Sequence, residues 1–96
     1  MDNTVYLTLL YDYYSELLTC KQKEYFEDYY FNNLSLSEIS ENNNVSRNAV
    51  YKQIKETVKK LEMYEEKLKL HKKSQIIKEL MKTLDKELQE KIKELI

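Results

Sequence analysis

Glycine and proline are both absent from this 96-residue chain. Those two residues end helices and make tight turns, so their absence predicts long helices joined by short polar connections. A β-rich fold would need turn glycines that are not here. The expected fold class is therefore all-α. Cysteine is nearly absent too: Cys20 stands alone and cannot form an internal disulfide. His71 is the only histidine and has no second metal ligand at helical spacing, so it reads as a solvent-exposed residue. No clean apolar run occurs. Residues 1–18 are interrupted by Asp12, Glu16 and several tyrosines, which excludes a membrane span, and the start lacks the basic segment of a signal peptide. A cytoplasmic location with no membrane insertion is the resulting expectation.

What is present is a helical composition with an uneven charge. Hydrophobic residues make up 42% and charged residues 34%, the balance of a folded chain and not a disordered one. Residues 1–34 carry two lysines against six acids, a balance of −4. Residues 46–60 carry Arg47, Lys52, Lys55, Lys59 and Lys60 against Glu56, a balance of +4. Such a basic segment is either a nucleic-acid footprint or a solvated helix face.

Caps and periodicity divide the chain. Thr4 can cap a first helix whose apolar stripe is Tyr6, Leu9, Leu10, Tyr13, Tyr14 and Leu17. Thr19 and Gln22 form a capping box that opens a second helix from about Cys20 to Phe31, burying Phe26, Tyr29 and Tyr30. Asn32 and Asn33 end it. Ser35 and Glu38 repeat the box before a short helix from Leu36 to about Asn42, with Leu36 and Ile39 inward. Ser46 then caps a long helix carrying Val50, Ile54, Val58, Leu61, Tyr64 and Leu68. Past Leu68 a heptad continuation lands on Gln75 and Lys82, so a bend near His71–Ser74 is predicted, with Ser74 as its cap. One amphipathic helix follows with Ile77, Leu80, Met81, Leu84, Leu88, Ile92 and Leu95. It reads as a dimer seam, a cover for its own chain, or a docking face. The implied organisation is an N-terminal helical bundle at 1–60 and a helical extension at 61–96 that serves dimerisation.

Residues 35–55 have the spacing of a helix-turn-helix, which needs two steeply crossing helices and a turn of three to four residues. Ser40 is small at the crossing. Asn44 takes the turn position that favours positive φ. Val45, Val50 and Ile54 are expected to lock the helices together. Ser46, Arg47, Asn48, Tyr51, Lys52 and Lys55 then remain exposed as candidate DNA-binding residues. Arginine pairs with guanine or phosphate, asparagine with adenine, and lysines farther along meet backbone phosphates. The same motif can instead serve protein contacts. Most tyrosines fall on helical stripes and read as core. The acid pairs Glu65-Glu66 and Asp85/Glu87 lie among lysines on polar faces, where nothing converges for catalysis. No enzyme activity, cofactor or metal is expected.

The runs Leu17-Leu18-Thr19-x-Lys21-Gln22, Ser35-Leu36-x-Glu38-Ile39, Val45-Ser46-Arg47-x-Ala49-Val50-Tyr51 and Leu61-Glu62-x-Tyr64-Glu65-x-Lys67-Leu68 together resemble the YlxM family of bacterial proteins. The likeness covers residues 5–73 closely and the tail only in character. It implies a helix-turn-helix similar to sigma-factor region 4 and a DNA-binding regulator. It also implies genes beside those of the signal recognition particle GTPase and its receptor, a role in that pathway, and dimers made by the C-terminal helices. Two positions depart from the pattern. Lys52 stands where an acid is usual, and Glu56 where a base is usual. The alternative reading is an accessory of the signal recognition particle that contacts its protein or RNA and not DNA.

Overall fold

The computed structural model describes residues 3–82, 84 and 86–95. Six α-helices and no strand occur among them: α1 (Thr4–Tyr14), α2 (Cys20–Tyr30), α3 (Leu36–Asn43), α4 (Arg47–Leu68), α5 (Leu70–Met81) and α6 (Lys86–Leu95). The all-α expectation holds. The molecule is elongated, with extents of 54 × 25 × 23 Å. No helix among the described residues is long and apolar enough to cross a membrane.

Local chemistry sets the start of three helices. At α2 the Gln22 N–H donates to Thr19 Oγ1 at 3.2 Å and the Thr19 N–H donates to Gln22 Oε1 at 3.1 Å. Ser35 and Glu38 make the same reciprocal pair at α3, both bonds at 3.1 Å. At α4 the Ala49 N–H donates to Ser46 Oγ at 3.0 Å. Each such cap stabilises its helix by about 1 kcal/mol. Asn33, with φ 55°, supplies the left-handed residue between α2 and α3.

The core is largely aromatic. Leu7, Leu10, Tyr11 and Tyr14 of α1 meet Tyr25, Phe26 and Tyr30 of α2, with Ile39, Val50, Ile54 and Leu61 closing the far side. Phe26 stacks on Tyr11 at 4.6 Å between ring centres with only 5° between planes, and the Tyr30 ring lies 4.5 Å from that of Phe26, tilted by 35°. Offset stacks of this kind add about 1 kcal/mol to the burial itself. The tyrosines read as core residues mostly do pack there.

The phase of α1 differs from its predicted stripe. Leu7 and Tyr11 are buried, whereas Leu9 is 39% and Leu17 51% exposed. Almost every residue from Val5 to Tyr14 is apolar or aromatic, so several stripes satisfy helical spacing, and contact with α2 and α4 selects one. A 3-10 turn at Ser15–Leu17 then shifts the phase, and Leu18 goes inward in place of Leu17. Thr4 is the first helical residue and not the cap; Asn3 holds the N-cap position without a side-chain bond.

The predicted bend also moves. α4 ends at Leu68, Lys69 caps it with φ 54° and ψ 35°, and α5 begins at Leu70. Ser74, the predicted cap, is buried inside α5. Leu68 is exposed and ends the stripe early. His71 is half-buried and packs edge-on against Tyr6 at 5.8 Å and beside Tyr13 at 6.0 Å, not free in solvent.

The cap for α5 comes from a distance. Glu65, expected on a polar face, is 8% exposed. Its Oε1 accepts from the Tyr14 hydroxyl at 2.7 Å and the His71 N–H at 3.1 Å, while Oε2 accepts from the Lys72 N–H at 3.1 Å. The Leu70 N–H donates in turn to the Tyr14 hydroxyl at 3.1 Å. One carboxylate and one phenol therefore satisfy three first-turn N–H groups of α5 and pin that helix to α1.

The single terminal helix is two. Gln89 Nε2 donates to the carbonyls of Met81 at 2.7 Å and Leu84 at 2.9 Å, stitching α6 to the end of α5. Met81 is the one member of the predicted terminal stripe that is fully buried among the described residues. Asp85, paired with Glu87 in the sequence reading, lies outside the described residues.

Candidate nucleic-acid interface

α3 and α4 meet across a three-residue turn, Asn44 to Ser46. Asn44 has φ 54° and ψ 45°, the left-handed conformation its short amide tolerates. The Val45 N–H donates to the Ser40 carbonyl at 3.1 Å and closes the end of α3. Ser40 is buried, and its hydroxyl donates to the Ser37 carbonyl at 2.7 Å, so its polar atom is satisfied at the helix crossing. Ser46 is extended, with φ −73° and ψ 153°, which turns the chain into α4.

This turn gives a direct stability test. Asn44→Ala is expected to cost about 1 kcal/mol, because a Cβ-bearing residue without a polar tip strains in this region. Asn44→Gly should stay within about 0.5 kcal/mol of the parent, since glycine takes the conformation freely. Urea unfolding midpoints of the two variants check this, and equal losses in both would contradict it.

Beyond the turn α4 is two-faced. Val50 and Ile54 are fully buried against Ile39 and the core. Ser46, Arg47, Asn48, Tyr51, Lys52 and Lys55 are all exposed, as predicted for each. They occupy the first turns of the helix on one side. Lys55 Nζ sits above the Tyr51 ring at 5.4 Å from its centre, so the aromatic face steadies the ammonium while leaving it at the surface.

Val45 departs from its predicted role. Its side chain is 40% exposed. The turn is closed by its backbone, and the α3–α4 lock is made by Ile39, Val50 and Ile54. Cys20 is exposed at the start of α2. No group of three metal-ligating side chains occurs among the described residues.

A buried crossing, a left-handed turn and an outward first turn are the parts of a helix-turn-helix. Residues 1–96 match the family described as "Putative helix-turn-helix protein, YlxM / p13 like". The chain belongs to that family.

Relatives agree along most of its length. A UPF0122 protein of Caldanaerobacter subterraneus subsp. tengcongensis is 52% identical over 85 residues, spanning 88% of this chain and 70% of the relative. One from Oceanobacillus iheyensis is 49% identical over 100 residues and spans 99% of this chain and 95% of its own. One from Fusobacterium nucleatum is 52% identical over 82 residues, covering 84% and 80%. This YlxM-like chain is thus similar to helix-turn-helix family proteins of several bacteria over nearly its whole length.

Sequence reading missed Glu65 and Tyr14, which together orient α5. Their 51-residue separation leaves no local signal. The capping groups inside the helix-turn-helix lie three residues apart and were readable.

Proposed function

We propose that this YlxM-like protein binds duplex DNA with the first turns of α4 and acts as a non-enzymatic regulator. The carrying observation is the partition of α4: Val50 and Ile54 are buried while Arg47, Asn48, Tyr51, Lys52 and Lys55 are exposed beside the capped start at Ser46. An amphipathic helix with that polar set fits a major groove, whose base edges arginine and asparagine can read. Arg47 and Asn48 take the base-reading role. Lys52 and Lys55 meet phosphates, and the outward N–H groups at Ser46 favour a further phosphate.

The protein works as a homodimer through residues 61–96 in this reading. Ile76 is 50% and Leu95 84% exposed, apolar surface that a second copy would cover. Two-fold symmetry would set the recognition helices about 34 Å apart on one face of the duplex.

Titration of genomic fragments at two salt concentrations tests the DNA reading. Arg47→Ala should abolish preference for one fragment over others. Lys55→Ala should weaken binding to all fragments evenly and reduce the salt slope by about one for each protomer bound. Absence of binding to every fragment would remove the reading.

A second reading is an accessory of the signal recognition particle, contacting its protein or RNA with this same face. One observation favours it: Glu56 is exposed on α4, one turn past Lys52, where it opposes a duplex phosphate backbone. A pull-down with the particle's components tests it, and enrichment of none counts against it.

A further inference from the structure

The cations flanking the helix-turn-helix are not confined to its own helices. Lys21 belongs to the first turn of α2, outside the motif, yet its ammonium lies 3.5 Å from Asn43 Oδ1 at the last residue of α3. Asn43 is itself oriented: its Nδ2 donates to the Ile39 carbonyl at 2.8 Å, which turns Oδ1 toward Lys21. The Lys21 ammonium also stands over the Tyr25 ring, 5.3 Å from its centre. A lysine held by an amide oxygen and an aromatic face has lost part of its rotamer freedom before any ligand arrives.

Lys21 also lines an open cleft between α2 and α4, together with Tyr25, Val45, Ala49, Lys52 and Glu56. Asn43 adjoins the turn, so Lys21 stands at the turn end of this cleft. Glu56 lies seven residues past Ala49 on α4, about 10 Å farther along the helix axis. The cleft thus carries two cations, Lys21 and Lys52, against one acid, Glu56.

We propose that Lys21 is a DNA-contacting residue, its ammonium meeting a backbone phosphate of the duplex whose major groove receives α4. This rests on the DNA-binding reading above and adds a contact from a helix outside the motif. The ammonium has three N–H donors, and Asn43 engages one; the other two can reach phosphate oxygens. Lys52 on the facing wall raises the local positive potential. A phosphate contact of this kind fixes the register of the protein on the duplex and carries no base information.

The test compares the full-length protein with Lys21→Gln and with Lys23→Gln, a lysine of the same helix whose ammonium lies 3.9 Å from Glu16 Oε2. Affinity for the fragment that the parent binds best is measured across a salt series. Circular dichroism verifies that both variants keep the parent helicity. Lys21→Gln is expected to reduce the salt slope by about one for each protomer bound while leaving the order of preferred fragments unchanged. Lys23→Gln should change neither. A parent-like slope in Lys21→Gln, with the parent binding normally, overturns the Lys21 contact and leaves the DNA reading standing. A changed order of fragments also overturns it, because the contact would then be to a base edge. Failure of the parent to bind any fragment removes both readings together.

Discussion

Replacing Glu65 with alanine is expected to destabilise the protein by about 3 kcal/mol, read as a lower urea midpoint at unchanged slope. The buried carboxylate accepts from the Tyr14 hydroxyl and from two backbone N–H groups at the start of α5. Removing the acceptor leaves those donors facing a cavity, and the full desolvation cost of each appears. A loss of that size is a large fraction of the 5–15 kcal/mol that holds a typical domain folded. Glu65→Gln keeps the shape but turns one acceptor into a donor, so about 1–2 kcal/mol is expected. Tyr14→Phe removes a hydroxyl that both donates to Glu65 and accepts from Leu70, and should cost about 1 kcal/mol. Amide exchange localises the effect: the first turn of α5 should lose protection before α2 does. Parent-like stability in Glu65→Ala would show that α5 finds its cap elsewhere.

Alkaline unfolding is the second large effect, and its window follows from the tyrosines. Burial, as the main cause, pushes Tyr11, Tyr14 and Tyr30 from 10.0 up to about 12. The negative charge of Glu27 adds to this at Tyr11, and donation to Glu65 adds to it at Tyr14. At Tyr14 the Leu70 N–H works the other way, because it favours the phenolate. Below pH 10 both folded and unfolded chains keep these protons, and stability does not depend on them. Between pH 10 and about 12 the unfolded chain gives up protons that the folded chain retains. The unfolded state then binds fewer protons, so stability falls as pH rises. Each phenol contributes on the order of 1 kcal/mol across that window once solvent screening is allowed for. Three of them together are a sizeable part of the stability of a domain this size. Helicity followed by circular dichroism, with tyrosinate absorbance beside it, should show Tyr11, Tyr14 and Tyr30 ionising together with loss of helix. Ionisation of all nine tyrosines in one simple step, with helicity retained, would contradict this.

What the sequence made legible was local. Thr19 with Gln22, Ser35 with Glu38, and Ser46 with Ala49 act across three residues, and every one of these bonds is present. Asn44 was readable for the same reason, since a left-handed residue is a property of one position. The exposure of Arg47, Asn48, Tyr51, Lys52 and Lys55 followed from the periodicity of Val50 and Ile54.

What failed was long-range. The inward phase of α1 is chosen by α2 and α4 out of an almost continuous apolar run. The break at Lys69 depends on Glu65 and Tyr14 capping α5 from other helices, so no cap residue precedes α5 in the chain. Lysine carries no turn signal, and Ser74, which does carry one, is used as a small buried residue against the bundle. A search for local caps was bound to choose the serine.

Cys20 is the chain's one thiol, and it is exposed immediately before Lys21 at the entrance to α2. That position offers a ready-made labelling handle: a maleimide dye attached there to the otherwise unaltered sequence would sit on the face of α2 that carries Lys23, Glu24, Glu27 and Phe31, and its fluorescence would report on that face with no engineered cysteine and no competing attachment point.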